Sequence, residues 1–314
     1  MQPVSAVVIG AGSRGNIYAN YSLLHPEQLK VVGVAEPREG YRYSFKAKYN
    51  IENENTFKSW EELVFKPQLA DIAIISTQDN MHLEPTIELT KKGYHILLEK
   101  PMAPNAEDCK KIVAAIKKSS VIFSVCHVLR YTSYTKKIKE LISSGKIGEP
   151  VCIQRLEPVG YWHAAHSFVR GNWRKKGESS FMLLAKSCHD LDWIHYIMGE
   201  ECIAVSSFGS LFHFKSSNKP KGAANRCIKC SVESTCPYSA IKIYVSRIKQ
   251  GYRGWPVDVI TIDFSEKGIK KMLASAIKRA VLSTALSKSY SRAEKDESRI
   301  NAQPSSSAIQ YSYP

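Results

Sequence analysis

The sequence has no uninterrupted apolar run approaching the ~20 residues a membrane-spanning helix needs, which argues against an integral membrane protein. It also lacks the basic start, long apolar core and small-residue cleavage site of a secretory leader. Met1-Gln2-Pro3 leads into the short run Val4–Ile9 and then directly into glycines. No internal repeat is present. Acidic residues are scarce beside basic ones, 29 Asp+Glu against 44 Lys+Arg, a formal net charge of +15. None of the acids falls between Lys267 and Arg292, a stretch that holds seven Lys/Arg. Such a balance invites nucleic acid, an anionic substrate or a membrane surface. Because part of the excess sits near the C-terminus, charge alone gives no reason to expect nucleic-acid binding. Five of the cysteines (Cys109, Cys126, Cys152, Cys188, Cys202) stand singly in segments of strand or helix pattern, as reduced thiols of a cytoplasmic protein do. What the chain does have is 44% apolar and 23% charged residues over 314 positions, which at roughly 150 residues per domain predicts about two globular domains.

The first part alternates short β-branched runs with helical patterns. Strands are predicted at Val4–Ile9, Leu29–Ala35, Asp71–Thr77, His95–Glu99 and Val121–Val128. Helices are predicted at Ser13–His25, Arg38–Tyr49, His82–Lys92 and from an Asn105 cap to Lys118. Strands apolar on both faces with helices between them predict a doubly wound parallel sheet over residues 1–127, a Rossmann-type α/β domain. A second α/β domain over 128–265 is predicted from helices at Thr132–Ser144, Ser180–Met198 and Ser239–Lys249 and strands at Val151–Glu157 and Cys202–Phe214. From Ile269 the apolar spacing 269, 272, 273, 276, 277, 280, 281 predicts a basic amphipathic helix within 266–290. The polar, Ser-rich stretch 291–314 reads as a disordered tail.

Gly10-Ala11-Gly12-Ser13-Arg14-Gly15 is a G-x-G-x-x-G run placed after a predicted strand and before a helix, the context that gives the motif meaning. Gly10 allows the tight turn, Gly12 lets a pyrophosphate approach the backbone, and Gly15 lets helix and strand pack closely. Glu36, at the end of the second strand, is placed to accept the adenosine ribose hydroxyls, which favours NAD. Arg38 and Arg14 are able to serve a 2′-phosphate, which keeps NADP in view.

Glu99-Lys100-Pro101 follows a strand expected to end at the carboxyl edge of the sheet, where ligands of such folds sit. With the glycine turn, and with VAEP (34–37), STQDNMHLEPTIELTKKGYHILLEKPMA (76–103) and KSCHDLD (186–192), the chain resembles the Gfo/Idh/MocA family of sugar and polyol oxidoreductases over about residues 4–262. The resemblance implies a Rossmann domain followed by an α/β domain with an open, mostly antiparallel sheet. It gives Lys100 a contact with the substrate hydroxyl and His189 the role of general base, a task suited to imidazole near neutral pH. It sets Thr77, His82 and Glu99 beside the cofactor with Gly10, Gly12, Ser13, Arg14, Gly15, Glu36, Arg38 and Lys100. Many dehydrogenases of the family carry an aspartate four residues before that histidine. Here the position is Ala185, with Lys186, Asp190 and Asp192 nearby. The family's further sheet strands are not found after residue 262, so a truncated, alternatively spliced or divergent C-terminus is expected. The substrate domain, and any sheet-mediated homo-oligomer, would then be incomplete.

Three further features bear on function. Tyr161, His163, Arg170 and Trp173, with Trp162 and His166, form an aromatic and basic loop suited to a sugar ring or an anion, or to packing on its own domain. Cys227-x2-Cys230-x5-Cys236, with His213 as a fourth donor, offers ligands for a structural zinc or iron–sulfur site or stands as free thiols. The basic helix offers a face to an anionic membrane, to a partner groove or to its own domain. The leading expectation is an NAD(P)-dependent oxidoreductase acting on a sugar, polyol or related hydroxy compound. NAD-dependent glycosidase chemistry by transient oxidation and a non-catalytic nucleotide-binding or regulatory protein are the alternatives.

Overall fold

The computed structural model describes residues 2–175, 177–275 and 309–311. It divides into two compact units. The first comprises Met1–Cys126, Lys176–Leu184 and Arg247–Ile269, the second His127–Lys175, Ala185–Ser246 and Lys270–Pro314.

The first unit is built on six strands, β1 (Val4–Ile9), β2 (Leu29–Ala35), β3 (Thr56–Phe57), β4 (Ile72–Ile75), β5 (His95–Leu98) and β6 (Phe123–Val125), in the order β3-β2-β1-β4-β5-β6 and all parallel. Alternation along β1 sends Val7 and Ile9 to one face and Ala6 and Val8 to the other, and all four are buried. Each face has its own core. Val7 and Ile9 join Phe57, Ile75, Leu89, Tyr94, Leu98 and Ile112 beneath α4 (Trp60–Val64), α5 (Leu83–Lys91) and α6 (Ala106–Lys117). Ala6 and Val8 join Ala19, Val34, Phe45, Tyr49 and Ile74 beneath α1 (Ser13–Ala19) and α3 (Glu39–Tyr49). The helix predicted over Ser13–His25 is interrupted at Asn20, after which α2 (Tyr21–Leu24) makes one further turn. The Asn105 cap forms as its sequence implies, its Oδ1 accepting the Asp108 amide at 2.9 Å. Asn50 ends α3 in the left-handed region at φ 50°. With β2 and β4 on opposite sides of β1, the strand order reverses there, and the carboxyl ends of β1 and β4 frame the crevice where such sheets bind ligands.

The second unit is mainly helical: α7 (Ser133–Ser143), α8 (Tyr161–Ala164), most of α9 (Met182–Met198) and most of α10 (Ala240–Lys249). Trp193, Ile194 and Ile197 of α9 pack with Leu129, Ile138, Ile142 and Ile153. The segment predicted as a strand at Val151–Glu157 forms no ladder among the described residues. Its side chains fix it instead: Arg155 Nε donates to Asp190 Oδ1 at 2.9 Å, and Glu157 pairs with Lys186 at 2.8 Å, both partners on α9. The long strand predicted at Cys202–Phe214 contracts to β7 (Val205–Ser207), paired antiparallel with β8 (Ile309–Tyr311) inside the expected tail. A strand persists only where a neighbour supplies hydrogen bonds. Among the described residues that pair is the whole of the second sheet, so the open sheet implied by the resemblance is not seen there. The basic helix is described as α11 (Glu266–Ala274), and its predicted continuation over 276–290 lies outside the described residues. No described helix is long and apolar enough to cross a membrane.

Candidate functional site

The glycine turn leaves β1 at Ile9 and enters α1 at Ser13. Gly10 sits at φ +96°, and a β-carbon there would meet the Ser76 carbonyl at 2.8 Å. One at Gly15 would lie 2.1 Å from the Gly10 carbonyl oxygen, so helix and strand approach as closely as the motif requires. Gly12 differs. A β-carbon there would meet only Arg38 Nη2, at 3.6 Å, so the space over its backbone is open, as a docking pyrophosphate needs. The residues present therefore fit a dinucleotide.

Glu36, just after β2, meets the same turn. Its side chain is buried, and Oε2 accepts the Ala11 amide at 3.0 Å. Arg38 grips both carboxylate oxygens, Nε to Oε1 at 2.7 Å and Nη2 to Oε2 at 2.8 Å, and lies 3.8 Å over the Tyr41 ring. Burial alone would raise the Glu36 pKa, but the hydrogen bonds and charge of Arg38 outweigh it and hold the carboxyl below its ordinary range. Arg38 in turn has a raised pKa because Glu36 outweighs the effect of its burial.

At the end of β5 the Glu99 carboxylate accepts the Tyr18 hydroxyl at 2.8 Å and the Lys100 amide, and lies 3.4 Å from Arg14 Nε. Glu99 thus ties α1 to the turn that presents Lys100. Burial, then the neighbouring Glu99 charge, pushes the Tyr18 phenol upward, and burial pushes the Cys126 thiol up to about 12. His82 is fully buried. Its Nδ1 faces the Pro101 carbonyl at 3.0 Å and its Nε2 the Thr77 carbonyl at 3.3 Å, so it links the loops after β4 and β5. The Thr77 hydroxyl donates to the Met81 carbonyl at 3.1 Å. The structure therefore gives Arg14, His82 and Glu99 scaffolding contacts that hold the turns at the crevice.

In the second unit His189 lies on α9 between two ion pairs. Arg130 binds Asp192 through both oxygens, at 2.8 and 2.5 Å. Asp192 Oδ2 is 3.9 Å from His127 Nδ1, and the His127 ring meets His189 edge-on at 5.9 Å. The sequence reading missed His127. Its signal was its place at the carboxyl end of the last predicted strand, Val121–Val128, where ligand-facing residues gather. Ala185 and Asp192 flank His189 on one helical face, four residues before and three after. The structure thus supplies a carboxylate on this face from the other side, while Lys186 is engaged with Glu157.

The aromatic loop is partly scaffold. Arg170 is buried and donates to the Tyr238 carbonyl at 2.7 Å, and His166 meets the Tyr244 hydroxyl at 2.8 Å. Trp162 stacks on His163, His163 on Phe168, and Phe168 leans on Trp173. Tyr161 stays exposed beside Tyr238. At the cysteine cluster, the Cys236 thiol is raised first by burial and then by the nearby Cys227 and Cys230. His213 packs against Phe214 and Tyr238. Among the described residues no three His, Cys, Asp or Glu side chains converge to hold a metal ion, so the expected zinc or iron–sulfur site does not appear.

Comparison with known proteins follows this geometry. Over 205 residues the chain is 29% identical to 2,7-anhydro-N-acetylneuraminate hydratase of Escherichia coli, covering 64% of this chain and 51% of that protein. Over 210 residues it is 29% identical to myo-inositol 2-dehydrogenase of Thermotoga maritima, covering 65% and 58%. The chain thus spans about half the length of these curated relatives. The crystal structure of scyllo-inositol dehydrogenase from Lactobacillus casei, with bound NAD(H) and scyllo-inositol, shares the fold at TM-score 0.59 and 21% identity, over 67% of this chain and 61% of that one. Residues 4–127 match the family model "Oxidoreductase family, NAD-binding Rossmann fold", and residues 139–238 match "Oxidoreductase family, C-terminal alpha/beta domain". Since both halves match in order, the chain belongs to the Gfo/Idh/MocA oxidoreductase family.

Proposed function

We propose that this chain is a nicotinamide-dependent oxidoreductase acting on a CH–OH group of a sugar, polyol or related hydroxy compound. The observation that carries the reading is the open backbone over Gly12 beside the buried Glu36. The bound nicotinamide supplies the hydride acceptor or donor, and the protein aligns it. Glu36 receives the ribose hydroxyls, and this favours NAD. Holding a 2′-phosphate would draw Arg38 off Glu36 and leave a buried carboxylate facing a like charge. Lys100 hydrogen-bonds the reacting hydroxyl. His189 takes its proton, with His127 and the Arg130-pinned Asp192 setting the ring's surroundings. Tyr161, His163 and Trp173 offer aromatic faces to a carbohydrate-like substrate, and Arg170 holds their loop.

Titration with NADH and NADPH, followed by a sugar and polyol panel, tests this. NADH binds more tightly, turnover accumulates NADH, and Lys100→Ala lowers kcat/KM roughly 10²–10⁴-fold while NADH binding persists. A folded protein that binds neither dinucleotide sinks the reading. A net redox-neutral reaction is the second reading, motivated by the hydratase relative. It requires product without NADH accumulation, and loss of product when NAD is omitted.

A further inference from the structure

The segment Arg247–Ile269 belongs to the first unit although it lies far along the chain. Its turn, residues 255–262, seats Val257 and Ile260 in buried positions. It packs on the start of α3, where a β-carbon at Gly40 would come within 2.7 Å of the Ile262 side chain. The Tyr41 hydroxyl donates to the Asp258 carbonyl at 2.9 Å, on the same ring that carries the Arg38 guanidinium. The Asp258 carboxylate interacts with the Ser13 side chain, inside the G-x-G-x-x-G turn, and this acts against the effect of its burial. Its Oδ1 is sealed from solvent with no hydrogen-bond partner. A carboxylate therefore stands at the loop where a pyrophosphate docks.

We propose that the turn 255–262 is a wall of the dinucleotide site and that Asp258, held by Tyr41 beside the glycine turn, makes dinucleotide binding take up a proton. The inference rests on the nucleotide-binding reading above. Two like charges at one poorly hydrated site cannot both persist cheaply, so the approaching diphosphate favours the neutral carboxylic acid, whose proton can then be donated to a phosphate oxygen. The groups that favour the Asp258 carboxylate are all neutral, and on its own turn they are the Val259 amide and its own amide. From α1 it meets the neutral Ser13 hydroxyl, while Arg14 on that helix is directed to Glu99. From α3 it meets Tyr41, behind which Arg38 is already committed to Glu36. Just past the turn, Asp263 is occupied with the Ser265 amide. In the free protein, burial has already raised the Asp258 pKa.

The test uses the full chain and NADH as probe. Dissociation constants are measured from pH 5.5 to 8.5 for wild type and Asp258→Asn, and wild-type calorimetry is run at one pH in two buffers of different ionisation enthalpy. The wild type should weaken by up to about tenfold per pH unit in the upper part of the range, the slope of one linked proton. Asp258→Asn should bind more tightly at pH 8 with a flat profile, and the calorimetric enthalpies should differ between buffers in the sense of proton uptake. Parallel profiles for the two proteins, or enthalpies independent of buffer, overturn the inference while leaving the nucleotide site intact. Folded protein of both kinds that binds no dinucleotide at any pH overturns the underlying reading as well.

Discussion

The two units fix chain of strand-like sequence by different means. β1 is fixed by backbone ladders on both sides and by apolar cores on both faces. Residues 151–157, of comparable β character in sequence, lack a ladder among the described residues and are fixed to α9 by Arg155–Asp190 and Lys186–Glu157. The first arrangement places a ligand turn through backbone geometry that the side chains must not obstruct. The second places side chains through charge, as a separate pair, Arg130–Asp192, does near His127. Substitution should therefore break the first unit through volume and the second through lost pairing.

The sharpest contrast is expected at Gly15. In Gly15→Val the added carbons meet the Gly10 carbonyl, which backbone cannot easily yield. NADH binding should vanish in the titration, and stability should fall by about 3 kcal/mol or more in urea unfolding. The counterpart in the second unit is Arg155→Met, which keeps the volume but leaves the Asp190 carboxylate without its charged donor. A loss of about 2–3 kcal/mol is expected, seen as earlier unfolding of the second unit by hydrogen exchange with the first unit's strands unchanged.

Glu36 is a charged pair inside the volume-controlled unit and so refines the contrast. Glu36→Gln should weaken NADH roughly tenfold or more and reduce stability at pH 7 by about 1–2 kcal/mol. Because the native pKa of Glu36 is lowered, its stabilisation is fully present above the unfolded carboxylate value of about 4.3 and is lost as pH falls through the native value. The difference between wild type and variant should therefore close on acidification, and a gap that widens below pH 4 would contradict the pairing. The smallest effect belongs to local backbone chemistry. Asn105→Ala removes the side-chain bond to the Asp108 amide and should lower stability by about 1 kcal/mol, with dinucleotide affinity unchanged.

The first unit was legible because each of its signals is local and mutually consistent. Doubly apolar strands, the glycine run, the Asn105 cap and the acid ending β2 each specify one neighbour. The second unit was less legible because the same alternating pattern at Val151–Glu157 and Cys202–Phe214 states only that a residue faces something. It does not say whether a strand or a helix provides the partner. Within the site, Glu36 and Gly12 could be read from spacing. The engagement of Arg38 with Glu36, the scaffolding role of His82, and the nearness of His127 and Asp258 to functional segments depend on distant chain meeting in space. The cysteine spacing suggested a metal, but a spacing does not by itself make donors converge.

The strand order carries a consequence for how the chain is assembled. β1 comes first in sequence yet lies inside the sheet, flanked by β2 and β4. During synthesis Ile9 can meet Ala35 early, but its other edge stays open until Ile75 has followed. A nascent chain thus carries a short apolar edge, Ala6–Ile9, through that interval. The glycine turn directly after it acquires its Ser76 contacts only when that interval ends.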